Sequence, residues 1–307
     1  MAVTIDLSRD APIAPPPYPP TGAGEGRAGA RGYWAGVGRR LLRDPVALAA
    51  AFVIIGIVFA AILAPWLGLA DPYRGSMLRR LRPIADAVYR LGSDELGRDM
   101  LSRLVYGGRL SLLMGVLPVV FAFFAGSAIG IVAGFVGGRV NTVIMRTVDV
   151  FYAFPSVLLA IALSGALGAG ILNAMVSLTI VFTPPIARVA ESVTTQIRTR
   201  DYVEAARVSG AGPLAIIRVH VLGNVLGPIF VYATSLISVS LILASGLSFL
   251  GLGSKPPEPE WGLMLNTLRT AIYVQPLVAA LPGAMIFITS IAFNLLSDGL
   301  RSAMEVK

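Results

Sequence analysis

Five stretches of the 307-residue chain contain no Asp, Glu, Lys or Arg: residues 45–70, 110–138, 150–187, 219–254 and 270–297. They make up 157 residues, about half of the protein, and the charges crowd into the gaps between them. A bilayer core requires roughly 20 consecutive apolar residues per helix. Each run holds one span, and the longest, 150–187, holds two, separated at Gly165, Gly168 and Gly170. The pattern predicts an all-α integral membrane protein with six transmembrane helices, near 46–66, 110–135, 143–163, 171–190, 224–247 and 273–295. A soluble enzyme is excluded.

Residues 1–35 carry Pro12, Pro15, Pro16, Pro17, Pro19 and Pro20 and no apolar run. They read as a disordered tail and not as a signal peptide, which needs an apolar centre. An amphipathic approach (Trp34, Arg39, Arg40, Leu41, Leu42, Arg43) leads into the first span; residues 36–108 hold that span and a polar segment, 109–298 form the main transmembrane unit and 299–307 a short tail. Asp44 followed by Pro45 predicts a capped helix start.

Composition narrows the chemistry. With no cysteine and the single histidine His220, there is no disulfide, thiolate nucleophile or His/Cys zinc site to build. Lys255 follows Gly253-Ser254 and Lys307 is terminal, so no phosphate-binding GxxxxGK[ST] loop exists. No catalytic, cofactor-binding or metal-binding residue is expected in this chain. The net charge of +8 is read as the basic flanking of membrane helices and not as a nucleic-acid surface. Six spans put both ends on one side. With the termini inside, 15 Lys and Arg lie inside and 10 outside, which favours two cytoplasmic termini. Eight Arg in the outer segment 71–109 run against that bias; the acids among them suggest a locally paired, folded element.

The gap between spans four and five is the most informative. Glu204-Ala205-Ala206 followed by Gly210 predicts a short helix with a small-residue face and a glycine stop, and Pro213 opens a second helix. Such a hairpin would lie along the cytoplasmic surface and let another protein approach; an ordinary basic interfacial helix is the alternative. Arg146 and Asp149, three apart, are placed to pair at the membrane boundary. Beyond Gly251 and Gly253, Pro256, Pro257, Glu260 and Trp261 form an irregular outer loop, with Trp261 suited to interfacial anchoring.

Glu204-Ala205-Ala206, Gly210, His220 and Leu222 resemble the coupling signature of inner-membrane subunits of ABC importers, with Gly223 where that family usually has Pro. Four other segments resemble the second permease of oligopeptide/dipeptide (peptide/nickel) importers. These are Leu91 to Asp99 with Ser102-Arg103-Leu104; Gly137-Gly138 with Met145-Arg146, Asp149 and Phe154-Pro155; Leu247 to Gly253 with Pro256-Pro257 and Glu260-Trp261-Gly262; and Asn294-Leu295-Leu296 with Asp298-Gly299. Ser297 stands where Gly is usual, and the resemblance covers about residues 40–301.

The resemblance implies the type I ABC importer permease fold. Glu204 to Leu222 would seat in an ATPase subunit, and the outer loop with Pro256, Pro257, Glu260 and Trp261 would face a binding protein. It also implies a homologous second permease, two ATPase subunits or one fused ATPase that hold ATP and Mg, an extracytoplasmic substrate-binding protein, a short-peptide cargo and a lipid surround. His220 is expected as a satisfied polar residue at a helix end and not as a metal ligand. Two alternatives remain: the same importer with another cargo (nickel chelate, glutathione, opine or haem), or a stand-alone secondary transporter. The latter should show an inverted repeat and intramembrane ionisable residues.

Overall fold

The computed structural model describes residues 29–304, and the regular elements among these are all helices; Ser93 and Asp99 form one isolated bridge. Helix α1, Gly29–Leu41, begins inside the segment that composition assigns to the tail. No proline falls between Pro20 and Pro45 to stop it. The rest of the expected tail, and residues 305–307, lie outside the described residues.

Helix α2 is Pro45–Leu63, started as the sequence predicts. Asp44 accepts hydrogen bonds from the Val46 and Ala47 amides at 2.9 and 3.2 Å, and Pro45 occupies the first helical position. With the short 3₁₀ turn at its end it gives 22 residues, about 33 Å at 1.5 Å per residue, enough to cross a hydrocarbon core. Ala47, Ala50 and Ile54 face the protein, whereas Phe52 and Phe59 point away from it, as expected where the solvent is lipid.

The second span is far longer than its charge-free run. Helix α3 covers Met100–Val136, because Asp99 caps it by accepting from the Ser102 amide. The predicted start near residue 110 overlooked ten helical positions that carry Arg103 and Arg109. The helix is about 55 Å long, so its first turns stand outside the bilayer.

The third span is broken, contrary to the continuous helix expected over 143–163. Helices α4, Gly138–Tyr152, and α5, Ser156–Leu167, meet at 87° across Ala153-Phe154-Pro155. Pro155 has no amide proton and forces the residue before it out of helical geometry. Helix α6, Ile171–Arg198, follows. After it come α7, Asp201–Val208, and α8, Pro213–Ile216, which runs through a wide π-turn at 217–221 into α9, Leu222–Phe249. The second short helix of the expected hairpin is therefore the leading end of the fifth span. Helix α10, Trp261–Thr267, lies outside the spans, and α11, Pro276–Met304, completes the chain. Among the described residues five helices are long and apolar enough to cross a membrane, and six if the bent pair counts as one span.

The core is built on α3 and α6. Gly126, Gly130 and Gly134 recur every four residues on α3, and a Cβ added to Gly130 would lie 2.3 Å from the Ala187 carbonyl oxygen. Gly126 and Gly134 approach the Thr183 and Glu191 carbonyls in the same way, so the two backbones touch. Leu178, Phe182 and Ile186 of α6 and Val225, Ile229 and Ala233 of α9 fill the space beside this seam. On the far side α2 packs on α11 through Ala50, Ile54 and Ala292.

Candidate functional site

Three places on the molecule bear on function: the hairpin after α6, the cavity at the bend, and the outer cap. In the hairpin, α7 ends in a Schellman motif. The Ala211 amide donates to the Ala206 carbonyl at 3.0 Å and the Gly210 amide to Arg207 at 3.0 Å, with Gly210 at φ +82°. This is the glycine stop that the sequence predicts. Glu204 and Ala205 are exposed, Ala206 is half-buried, and Val203, Ile216 and Val221 anchor the segment with at most 2 % of their surface free. Val208, Leu214 and Val219 stand out at 90, 82 and 68 % exposure. The hairpin thus grips the bundle with one set of apolar side chains and presents another set beyond the membrane helices.

His220 sits in the π-turn, within a continuous helical stretch and not at a helix end as expected. Its imidazole lies 6.1 Å from the Tyr202 ring, and its carbonyl accepts from Asn224 at 2.7 Å. Leu222 is half-buried against the core.

The predicted Arg146–Asp149 pair does not form. Asp149 is held by Arg188 of α6, whose Nε donates at 3.1 Å and whose Nη2 donates to the same oxygen. The Arg188 guanidinium also lies over the Tyr152 ring, 4.9 Å from its centre. Two guanidinium nitrogens on one carboxylate oxygen, together with the stack on Tyr152, hold Arg188 in this place; Arg146 is left exposed on α4. Beside this pair, the bend encloses a cavity of about 430 Å³, lined among others by Tyr152, Phe154, Ser156, Phe182 and Tyr232. No charged side chain lines it.

The outer segment is the paired element that the interleaved charges suggest. Asp94 is buried, bonds Arg98 Nε at 2.6 Å and lies 3.3 Å from Arg103 Nε. Its other oxygen accepts from the Leu96 and Arg98 amides at 2.9 Å. Arg103 then reaches the carbonyls of Pro72, Pro257 and Glu258 at 3.0, 3.3 and 3.4 Å. One buried guanidinium therefore ties the segment before α3 to the loop before α10.

Two residues expected to dock a partner are found inside this cap. Glu260 and Trp261 are 1 and 0 % exposed. Glu260 caps α10 by accepting from the Gly262 and Leu263 amides at 2.9 and 2.8 Å, and Ser111 of α3 donates to it at 3.1 Å. Trp261 donates from Nε1 to the Leu104 carbonyl at 2.9 Å and rests on Gly107 and Gly108. The ring is neither an interfacial anchor nor a docking surface, because those glycines leave a slot for it on α3. Of the four residues, only Pro256 and Pro257 are exposed. The sequence marks Arg103 only as part of a resembling segment, and the roles of Arg103, Gly107 and Gly108 in the cap were not read from it; paired glycines one turn after an arginine were the available signal.

Burial pushes the Glu260 carboxyl above the usual carboxylate range, with the hydrogen bonds to it opposing the shift. The closed cap therefore binds a proton more tightly than the opened one. Its stability is greatest below the pKa of the exposed carboxylate and falls as pH rises through the interval up to the raised value. Melting of the detergent-solubilised protein should accordingly shift upward on mild acidification, and Glu260→Gln should flatten that slope.

Two family models match the chain: the binding-protein-dependent transport system inner membrane component over residues 126–306, and the N-terminal transmembrane domain of oligopeptide transport permease C over 32–83. The di/tripeptide transport system permease protein DppC of Pseudomonas aeruginosa is 41 % identical over 266 residues, 85 % of this chain and 88 % of that protein. The glutathione transport system permease protein GsiD of Pectobacterium atrosepticum is 39 % identical over 277 residues, 90 and 91 % of the two chains. Among solved structures, an inward-facing MetNI methionine ABC transporter matches with a TM-score of 0.55 at 21 % identity, over 67 % of this chain and 98 % of that one, a likeness of fold. The chain belongs to the binding-protein-dependent transport system inner membrane components: it is a multi-pass permease subunit of an ABC importer, working with ATPase and substrate-binding components, and not an enzyme.

Proposed function

We propose that the protein, paired with a homologous permease, forms the translocation path of a bacterial inner-membrane importer for short peptides. In this reading a binding protein delivers cargo from outside, and two ATPase subunits, or one fused ATPase, bind ATP and Mg and clamp. Residues 201–220 convert the clamping into alternating access, and both termini are cytoplasmic. The observation that carries the reading is the hairpin, with Val208, Leu214 and Val219 free beyond the bundle while Val203, Ile216 and Val221 fix it to the core. An apolar face outside the bilayer suits a protein partner. The similarity to a permease named for di- and tripeptides supports the cargo, and the uncharged cavity at the bend suits a path that passes peptides of varied side chains without holding them.

The test replaces Glu204 and Gly210 with tryptophan. Glu204 is exposed, and nothing lies within 4 Å of a Cβ at Gly210. The positive φ there costs a non-glycine residue about 1–2 kcal/mol, too little to prevent folding. We expect normal membrane levels and at least tenfold slower peptide uptake by the complete importer; full uptake would remove the coupling role. A second cargo, glutathione, is favoured by the 39 % identity to a permease named for it. Stimulation of the reconstituted ATPase by glutathione but not by other tripeptides would select that reading.

A further inference from the structure

We infer that the end of the molecule where α1, the start of α2 and the end of α11 meet holds an anionic phospholipid, with an acyl chain in a groove between α2 and α11 and the phosphate against Arg39, Arg43 and Arg301. The groove has a volume of about 510 Å³ and an apolar lining that includes Val46, Ala49 and Val53 of α2 and Phe287, Ile291 and Leu295 of α11. Both helices are transmembrane spans, and Val46, Val53, Phe287 and Ile291 are exposed on the outside of the bundle. A groove of this kind faces hydrocarbon, so what fills it is an acyl chain or another helix.

The charges at one end decide between the two. Gly299 of α11 packs against Ala47 and Leu41, so the start of α2 and the end of α11 lie together. Pro45 and Leu295 are the groove's lining residues nearest that contact along the two helices. Arg43, two residues before Pro45, Arg301, two residues after Gly299, and Arg39 on α1 are exposed, while Arg40 donates to the Ala303 carbonyl at 3.3 Å and so brings α1 against the end of α11. Two acids share the site. Asp44 Oδ1 is engaged by the Val46 and Ala47 amides, and Asp298 is exposed. Arg39, Arg40, Arg43 and Arg301 against Asp44 and Asp298 leave these helix ends net positive, next to an apolar slot. A phosphodiester with a hydrocarbon tail matches both features, whereas an apolar helix would leave the arginines unanswered.

The inference rests on reading this end as cytoplasmic, on the leaflet side where juxtamembrane arginines meet anionic headgroups. The complete importer, purified in mild detergent, is to be supplied with phosphatidylglycerol or phosphatidylcholine and examined by native mass spectrometry. Each arginine near a membrane surface contributes about fivefold. The Arg39→Gln, Arg43→Gln, Arg301→Gln variant should therefore lose phosphatidylglycerol retention by at least tenfold and keep phosphatidylcholine retention. Ala49→Trp, which fills the slot, should lower both. Unchanged phosphatidylglycerol retention in the triple variant would overturn the site, as would a photocrosslinker at Ile291 that captures a protein chain. Orientation is checked separately in this cysteine-free chain: Ser302→Cys should resist a membrane-impermeant maleimide in intact cells. Labelling there would reverse the topology without touching the retention result.

Discussion

Replacing Arg103 with alanine is expected to dismantle the outer cap and to cost the folded permease about 3–5 kcal/mol, the range for removing one partner of a buried charge pair. The side chain is 2 % exposed, lies against Asp94 and donates to three carbonyls from two segments more than 150 residues apart in sequence. Without it Asp94 keeps Arg98, but the carbonyls of Pro72, Pro257 and Glu258 lose their donor where water cannot easily replace it. Arg103→Lys restores the charge and not the fork, so it should recover less than half of the loss. The exposed pair Arg74–Asp71 supplies the control: surface ion pairs contribute little, and Arg74→Ala should leave stability unchanged. The measurement is the fraction of monodisperse protein surviving a heat challenge in detergent. Equal survival of Arg103→Ala and Arg74→Ala would show that the cap does not depend on Arg103.

Gly130→Leu is expected to separate α3 from α6 and to leave little folded protein in the membrane. Even a Cβ meets the Ala187 carbonyl oxygen at 2.3 Å, the Ala190 Cβ at 2.6 Å and the Glu191 nitrogen at 2.8 Å. Two of these are backbone atoms, and no rotamer change relieves them. Overpacking typically costs 1–3 kcal/mol where side chains can adjust; contact with backbone puts this substitution at or above that range. Gly56→Leu is the matching control, since nothing lies within 4 Å of its Cβ and it faces lipid. Membrane levels of the two variants, and their elution by size exclusion, distinguish a specific seam from a general intolerance of bulk in spans.

How far the sequence could be read follows from which interactions are local. Runs without charge located the five long apolar helices, because desolvation acts on each residue separately. The caps at Asp44 and Gly210 were also legible, being settled within a few residues of the chain. The break at Ala153-Phe154-Pro155 was not, although Pro155 signals it: the hydropathy of the run is uninterrupted, and hydropathy carries no information on direction. The early start of α3 escaped for the opposite reason, as Arg103 looks like solvent-facing polarity until its partners near residues 72 and 257 are known. Trp261 was assigned by the usual habit of its residue type, whereas its place is decided by Gly107 and Gly108 far away in sequence. Asp149 shows the same limit: its partner Arg188 is on another helix.

Helix α3 has one further property. Its outer turns carry Arg103 and the slot for Trp261, and its inner end meets the hairpin, where the Arg207 guanidinium lies over the Phe135 ring at 5.7 Å and Arg198 bonds the Phe135 carbonyl at 3.2 Å. Between these two attachments the rod is interrupted only by Pro118. The broken third span has a joint in which a push can be dissipated; α3 has almost none. The cap and the hairpin are therefore fastened to opposite ends of one nearly unbroken rod, so neither can shift along its axis without loading the other.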